Sequence, residues 1–223
     1  MRVGLIDTGV ETALDDLVVT ARRFLLSGTG DIQEAEVEPD ASGHGTALAH
    51  VLLTRPGVEI VNAQVFDGSA PASPATVAAG IHWAVSEGAQ ILNLSFGLRR
   101  DREVLRKACE EAMAAGVLLL AASPARGAPV FPSAYEGVIR VTGDARCGPG
   151  EFSALMSAQA DIGACPRPVG VDEEGKAGGA SLAVSWAVAE VVRRWQDGCP
   201  PGKDAVLDYF SSISRFHGPE RRS

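Results

Sequence analysis

Short apolar runs alternate with segments of helical periodicity along most of this chain. The apolar runs are predicted as strands and cover residues 3–6, 59–64, 90–95, 117–122 and 138–142. The helical patterns cover residues 45–54, 75–87, 102–115 and 181–196. This alternation is typical of βαβ units, and strands that are apolar on both faces are expected where helices cover both sides of a sheet. We therefore predict an α/β fold, doubly wound around a mostly parallel central sheet.

The length of 223 residues fits one large α/β domain with one active site. We place this domain at residues 1–197 and treat residues 198–223 as a C-terminal tail, in which residues 203–216 are predicted to add a short helix. Residues 28–40 and 124–132 are predicted as loops. Ligands of open parallel sheets bind beyond the carboxyl ends of the strands, so we look for chemistry there.

Charge and cysteine usage exclude several classes of function. The net charge is −8 and the sequence has no basic stripe, so neither a nucleic acid nor an anionic membrane is an expected partner. No segment has the character of a signal peptide or a membrane span, which favours a cytoplasmic protein. Cys109, Cys147, Cys165 and Cys199 lie far apart without ligand spacing, and we interpret them as free thiols.

Three residues have the side chains that nucleophilic catalysis requires, and each lies where this fold would present it. Asp7 closes the first strand, His44 lies between two glycines at the start of a helix, and Ser181 begins an apolar helix whose N-terminus favours negative charge. Taken singly, they are ordinary features: a turn former, a loop residue and an N-cap. The order Asp, His, Ser favours a catalytic triad, because subtilisin-type triads follow that order.

The sequence resembles the subtilisin family in several ordered motifs that span roughly residues 1 to 195. The motifs of the three candidate residues read VGLIDTGV at 3–10, GHGTALA at 43–49 and GASLA at 179–183. Between them lie segments similar to the family's substrate-lining strand and to two later strands, at 91–97, 131–139, 152–154 and 160–162. Such an ordered set of matches is very improbable by chance.

This resemblance implies a serine protease with Asp7, His44 and Ser181 as its triad, the three side chains being within hydrogen-bond reach. It also implies that a peptide or protein substrate pairs as an added strand along Ser95, Phe96 and Gly97. The family's tight calcium loop is not found in this sequence, so no metal or other cofactor is expected.

The sequence departs from the family at the oxyanion hole. The family places an asparagine side chain after the strand that matches 117–122, whereas this chain has Ser123 and Pro124. Proline has no N–H to donate. The backbone N–H of Ser181 remains as a donor, and Ser123 or Asn93 are further candidates, although Asn93 is more easily explained as a buried structural amide.

The small size and altered oxyanion hole favour a dedicated processing protease, for example one that trims a precursor peptide, over a bulk degrading enzyme. Two alternatives stay open at this stage. One is a catalytically impaired subtilisin-like module that binds peptides, and the other is an esterase or peptide ligase on the same fold.

Overall fold

The computed structural model describes residues 1–66, 73–168, 178–196 and 202–220. Within these residues the strands are β1 (Arg2–Asp7), β2 (Val18–Leu26), β3 (Ile32–Ala35), β4 (Glu59–Gln64), β5 (Ile91–Leu94), β6 (Leu118–Ala122), β7 (Ile139–Gly143), β8 (Phe152–Ala154), β9 (Ile162–Ala164) and β10 (Phe216–His217). They form one sheet in the spatial order β10-β8-β9-β7-β6-β5-β1-β4-β2-β3. The neighbouring pairs from β2 to β7, and the pair of β7 with β9, are parallel. Only the pairs β2 with β3 and β8 with β9 are antiparallel in the described sheet. The predicted α/β fold with a mostly parallel sheet is confirmed.

The bounds of the predicted helices lie close to those that the structure has. The helices are α1 (His44–Leu52), α2 (Pro74–Ser86), α3 (Glu103–Ala114), α4 (Ala180–Arg194) and α5 (Lys203–Ile213), with a short 3-10 helix at Thr12–Leu17.

Two hydrophobic clusters cover the two faces of the sheet. One packs α1, α4 and α5 against one face, and the other packs α2 and α3 against the opposite face. Successive residues of β6 alternate between them, so that Leu118 and Leu120 join the first cluster while Leu119 joins the second. Because both faces are buried, every residue of β6 is apolar, which explains the continuous apolar run at this point of the sequence.

The end of β1 is a topological switch point. After β1 and the pair β2 and β3, the chain reaches β4 through α1 on one face, then crosses back past β1 to β5 through α2 on the other face. Connections that leave in opposite directions open a crevice at the carboxyl ends of the strands. Asp7 is the last residue of β1 and therefore lies at this crevice.

The hairpin of β2 and β3 was not predicted. Residues 18–26 carry no strict alternation, and β2 is only partly buried, whereas residues 31–40 were predicted as a solvated loop. At the sheet's edge, one face of a strand meets solvent and the hydrophobic signal is weak. Backbone pairing with β4, and not a sequence pattern, is what places β2 in the sheet.

The described part of the tail packs as an integral layer of the domain. The predicted helix at 203–216 forms as α5 at Lys203–Ile213, and β10 then pairs with β8. Phe210 of α5 is 1% exposed and makes an edge contact with the ring of Phe152, with centroids 5.0 Å apart. The region 202–220 therefore completes the core over β8.

Three of the cysteines are buried free thiols, namely Cys109, Cys147 and Cys165. Cys199 lies outside the described residues. Burial raises the pKa of Cys109 to about 12, so this thiol is not reactive near neutral pH. No helix in the described ranges combines the length and the apolar character needed to cross a bilayer.

Replacing Phe210 with Ala tests whether the end of the chain belongs to the fold. The loss of a fully buried aromatic side chain should lower the free energy of unfolding by about 3–5 kcal/mol. Ile213→Ala, a change at a side chain 38% exposed on the same helix, should cost much less. Urea denaturation of both variants is the measurement, and equal small effects would contradict the packing described for α5.

Candidate active site

Asp7 is fixed at the end of β1 by its own turn. Asp7 is 1% exposed to solvent. The backbone N–H of Thr8 donates to its Oδ1 at 2.8 Å, and the Thr8 hydroxyl donates to the same oxygen at 3.2 Å. The carboxylate is therefore buried, hydrogen-bonded and held in one orientation.

His44 is the first residue of α1 and faces this carboxylate. Its Nδ1 lies 2.6 Å from Oδ1 of Asp7. Because an ionised carboxylate can only accept, Nδ1 carries the proton and the neutral ring leaves Nε2 free as an acceptor. A histidine held in this tautomer can act as a general base.

A close backbone approach brings α1 to the end of β1. The N–H of Gly45 donates to the Thr8 hydroxyl at 2.9 Å. A Cβ at Gly45 would lie 2.1 Å from the carbonyl oxygen of Gly9 and 3.2 Å from Oδ1 of Asp7. Only glycine at position 45 lets the helix reach this position without a clash.

Asp40 caps the helix that carries His44. Its Oδ1 accepts from the N–H groups of Ser42 and Gly43 at 3.1 and 2.9 Å, and its Oδ2 accepts from the N–H and hydroxyl of Thr46 at 2.9 and 2.8 Å. Burial opposes its ionised form, but these hydrogen bonds outweigh burial and hold the pKa of Asp40 below its ordinary value. A negative charge therefore lies at the N-terminus of α1, where it is favourable.

The two carboxylates act together on the imidazole. Burial disfavours the charged ring, yet the hydrogen bond and charge of Asp7, with the charge of Asp40, hold the pKa of His44 above its ordinary value. A raised pKa strengthens His44 as a proton acceptor, and it also raises the pH above which the ring is neutral.

Ser181 lies in the first turn of α4, after a turn that only glycine adopts readily. Gly179 has φ 63° and ψ −133°, and its N–H donates to the carbonyl of Pro166 at 2.9 Å. Gly143, at the end of β7, packs directly beneath it, since a Cβ there would lie 3.1 Å from the carbonyl carbon of Gly179. The close contact places the N-terminus of α4 at the carboxyl edge of the sheet.

The hydroxyl of Ser181 is turned towards β5. It donates to the carbonyl of Ser95 at 2.9 Å. Within the part of the chain that the structure describes, no hydrogen bond joins Ser181 to His44. The expected contact between nucleophile and base is therefore not made in this conformation, whereas the contact of His44 with Asp7 is.

A buried hydrogen-bond chain fixes the backbone of Ser181. The Ser185 hydroxyl donates to Oδ1 of Asn93 at 3.1 Å, Nδ2 of Asn93 donates to the Ser95 hydroxyl at 2.9 Å, and that hydroxyl donates to the Ser181 carbonyl at 3.0 Å. Asn93 and Ser185 are fully buried, so a broken link would leave an unsatisfied polar group. The chain couples the second turn of α4 to the first through the end of β5.

The side chains considered as oxyanion donors are placed elsewhere or already used. The hydroxyl of Ser123 is buried and donates to the carbonyl of Gln159 at 2.6 Å. Pro124 has no N–H, and the amide of Asn93 is engaged in the buried chain just described. Of the candidates, the backbone N–H of Ser181 in the first turn of α4 is the donor not committed to a helical bond.

Ser95, Phe96 and Gly97 follow β5, and the Ser95 carbonyl accepts only the Ser181 hydroxyl among the described residues. In the described residues, no backbone–backbone hydrogen bond involves Phe96 or Gly97, whereas Leu98 pairs with Phe131 in an antiparallel bridge. Phe96 packs edge-on against Phe66 at 5.6 Å. The segment therefore presents a short open edge beside Ser181, the geometry that an added strand requires.

Solved structures match this architecture at low sequence identity. The protease domain of PatA, solved as a mutant, matches with a TM-score of 0.64 and 22% identity, over 92% of this chain and 84% of that one. The prenylagaramide maturation protease PagA matches with a TM-score of 0.63 and 20% identity, over 93% and 80% of the two chains. At these identities the likeness establishes a subtilisin-like fold.

The chain also matches known proteins in its sequence. The family model described as the subtilase family, Peptidase_S8, matches residues 1–187, and the chain therefore belongs to the subtilase family. Subtilisin DY of Bacillus licheniformis is 28% identical over 157 residues, which cover 63% of this chain and 55% of that protein. The match thus spans about half the length of that relative.

Sequence reasoning missed two of the residues that organise the site. Asp40 lies four residues before His44, and an acidic residue close to a helix start is a recognisable favourable signal. Ser185 carried no such signal, because its partner Asn93 lies on a different element. Among the described residues, no group of three or more His, Cys, Asp or Glu is placed to hold a metal ion.

Gly45→Ala tests the close approach of α1 to β1. The added methyl group would overlap the Gly9 carbonyl, so we expect a loss of about 1–3 kcal/mol in the free energy of unfolding and a displaced His44. Gly28→Ala is the matched control, because nothing lies within 4 Å of a Cβ there. Thermal unfolding of both variants is the measurement, and a Gly45→Ala protein as stable as the control would contradict this packing.

Asp40→Asn tests the electrostatic role of the cap. Removing this negative charge disfavours the imidazolium, so the pKa of His44 should fall towards its ordinary value of about 6.5. An NMR titration of the His44 ring measures the shift, with Asp31→Asn as a control at an exposed carboxylate. The acid limb of any His44-dependent activity should move to lower pH, and an unchanged titration would exclude a charge effect from Asp40.

Proposed function

We propose that this chain is a serine endopeptidase that cleaves peptide bonds through an acyl-enzyme on Ser181. The observation that carries the proposal is the Asp7–His44 pair, 2.6 Å apart at the switch point of a subtilase chain. Asp7 orients the ring, His44 is the general base and acid, and Ser181 is the nucleophile. A peptide or protein is the substrate.

The reaction requires Ser181 to change rotamer. For this step, the Oγ would leave the Ser95 carbonyl and turn towards Nε2 of His44 by rotation about χ1 between ordinary staggered states. The Oγ then attacks the scissile carbonyl while Nε2 of His44 takes its proton. The tetrahedral intermediate expels the amine, which receives that proton from Nε2, and water hydrolyses the resulting ester by the same steps. The Ser95 carbonyl freed by the rotation can accept an N–H from the substrate backbone.

Stabilisation of the oxyanion falls mainly on the helix N-terminus. The N–H of Ser181 and the dipole of α4 supply positive potential, whereas Pro124 contributes no donor. Loss of one oxyanion-hole donor costs a subtilisin about 10²–10³-fold in turnover. We therefore expect a slow enzyme on substrates that it does not recognise specifically.

A slow intrinsic rate suits a dedicated processing protease, which acts on one precursor peptide or partner protein. The structural neighbour PagA is named a maturation protease, which supports this assignment by analogy. The cytoplasmic location, with no nucleic acid or membrane as partner, stays a prediction from the sequence.

The second candidate is a peptide-binding module that has lost catalysis. Pro124 at the expected donor position favours it, and so does Ala180 before Ser181, because the family usually has there a threonine whose hydroxyl can assist. The Asp7–His44 pair favours an enzyme. An esterase or a peptide ligase would form the same acyl-enzyme. An esterase would form it from an ester substrate, and a ligase would pass the acyl group to an amine instead of to water.

Reaction with a fluorophosphonate probe tests the proposed nucleophile. The native chain should be labelled at Ser181, and Ser181→Ala should lose the label entirely, because no other group is proposed to form the acyl-enzyme. His44→Ala should slow labelling by several orders of magnitude. Ser27→Ala, in an exposed turn, is the matched control and should label normally.

Turnover of ester and amide substrates side by side separates the rival functions. Hydrolysis of both supports an endopeptidase, and hydrolysis of esters alone supports an esterase. A chain that neither reacts with the probe nor hydrolyses either substrate, yet binds peptides, would overturn the enzyme assignment in favour of the binding module.

A further inference from the structure

Three exposed arginines follow the open edge after β5. Arg99, Arg100 and Arg102 lie within five residues of Gly97 and, together with Pro74 and Leu98, line a surface cavity of about 310 Å³. The whole chain carries a net charge of −8. The three arginines therefore group positive charge around this cavity, although the molecule as a whole is negative.

The carboxylates beside these arginines are already paired with other groups. Asp101 binds Arg106 at 2.8 Å and accepts from the Tyr135 hydroxyl at 2.9 Å, while Glu103 binds Lys107 at 2.8 Å. Over the described ranges, no ion pair or side-chain hydrogen bond involves Arg99, Arg100 or the guanidinium of Arg102. Among the described residues, no carboxylate therefore pairs with these three guanidinium groups.

The arginines do not serve the stability of the helix they precede. Arg102 is the N-cap of α3, and its side chain makes no capping hydrogen bond. Cations near a helix N-terminus are unfavourable, and Ser, Thr, Asp or Asn would be preferred at this position. A function in binding explains their presence better than a function in folding.

The position of the arginines relates them to the proposed cleavage site. Ser181 touches the Ser95 carbonyl, so the scissile bond of a bound peptide would lie beside Ser95. Arg99 is four residues further along the chain, or about 13 Å at the rise of an extended strand. A peptide paired along Ser95–Gly97 would carry its side chains past the cavity three to five residues from the bond that is cut.

We propose that Arg99, Arg100 and Arg102 form a subsite that binds carboxylate side chains of a peptide substrate, three to five residues from the scissile bond. This assignment rests on the proposed function, because it uses the same peptide-binding edge. Guanidinium groups bind carboxylates through paired hydrogen bonds, and two or three arginines around one cavity favour an acidic segment. The substrate class is therefore an acidic peptide.

Binding without cleavage tests the subsite separately from catalysis. The Ser181→Ala chain is titrated against a fluorescein-labelled decapeptide of alternating Glu and Ala, and against the matching Gln and Ala peptide, by fluorescence anisotropy. The Glu peptide should bind about 3–10-fold more tightly at low salt, and 1 M NaCl should remove most of the difference. Equal binding of the two peptides would overturn the subsite, whether or not the native chain is an enzyme.

Matched variants locate the effect. The double variant Arg99→Ala, Arg100→Ala should abolish the preference for the Glu peptide. The control double variant Arg2→Ala, Arg194→Ala removes the same charge near the amino ends of the strands, and the preference for the Glu peptide should remain. Arg99→Glu with Arg100→Glu should invert the preference towards a Lys and Ala peptide. A preference that persists in the first double variant would place acidic recognition elsewhere and overturn the proposal.

Cleavage then relates the subsite to the active site. A tryptic peptide library cut by the native chain should show Asp or Glu enriched three to five residues from the new ends, and the Arg99→Ala, Arg100→Ala variant should lose this enrichment. That variant should still react with the fluorophosphonate probe at the native rate. Labelling with no enrichment would overturn the subsite alone, whereas a native chain without labelling would overturn the proposed function alone.

Discussion

The contact between two backbone segments, the turn after β1 and the first turn of α1, is the constraint on which the candidate site depends. The Asp7–His44 distance of 2.6 Å is possible only because position 45 has no side chain to strike the Gly9 carbonyl. Thr8 joins the two segments, since its N–H and hydroxyl bind Asp7 while its hydroxyl receives the N–H of Gly45. The absence of a side chain at position 45 therefore permits the Asp7–His44 contact, and this contact helps to raise the pKa of the His44 ring.

The sheet brings Ser181, the third candidate residue, to the same edge. Helices α1 and α4 pack in one hydrophobic cluster on one face, and both begin at the carboxyl ends of parallel strands. Their N-termini therefore present His44 and Ser181 to one crevice, where unpaired N–H groups favour developing negative charge. The buried link from Ser185 through Asn93 to Ser95 ties the start of α4 to the end of β5, so the backbone of Ser181 and the segment after β5 keep a fixed relation.

The parts of this arrangement that the sequence predicted are those with a local pattern. The buried parallel strands and the four long helices were located to within one or two residues, because strands buried on both faces are continuously apolar. The hairpin of β2 and β3 was missed, since an edge strand meets solvent and its pattern weakens. The Asn93–Ser185 contact joins residues 92 positions apart, and no local pattern encodes it. The Ser181 hydroxyl donates to the Ser95 carbonyl, 86 positions away, and no local pattern encodes that contact either.

The proposed oxyanion hole and the proposed arginine subsite would fit the same kind of enzyme, because both affect the free energy of the transition state. If the chain is the proposed endopeptidase, the lack of the usual asparagine donor would raise the barrier to acylation, and a peptide that makes only backbone contacts would be cut slowly. Binding energy from side chains remote from the scissile bond can offset part of that barrier in kcat/KM, but only for substrates that carry the matching groups. An acidic segment bound at Arg99 and Arg100 would provide this energy, whereas other peptides would remain poor substrates. Selectivity would thus arise from a weak catalytic centre that depends on a distant contact, which is the property that a processing protease requires.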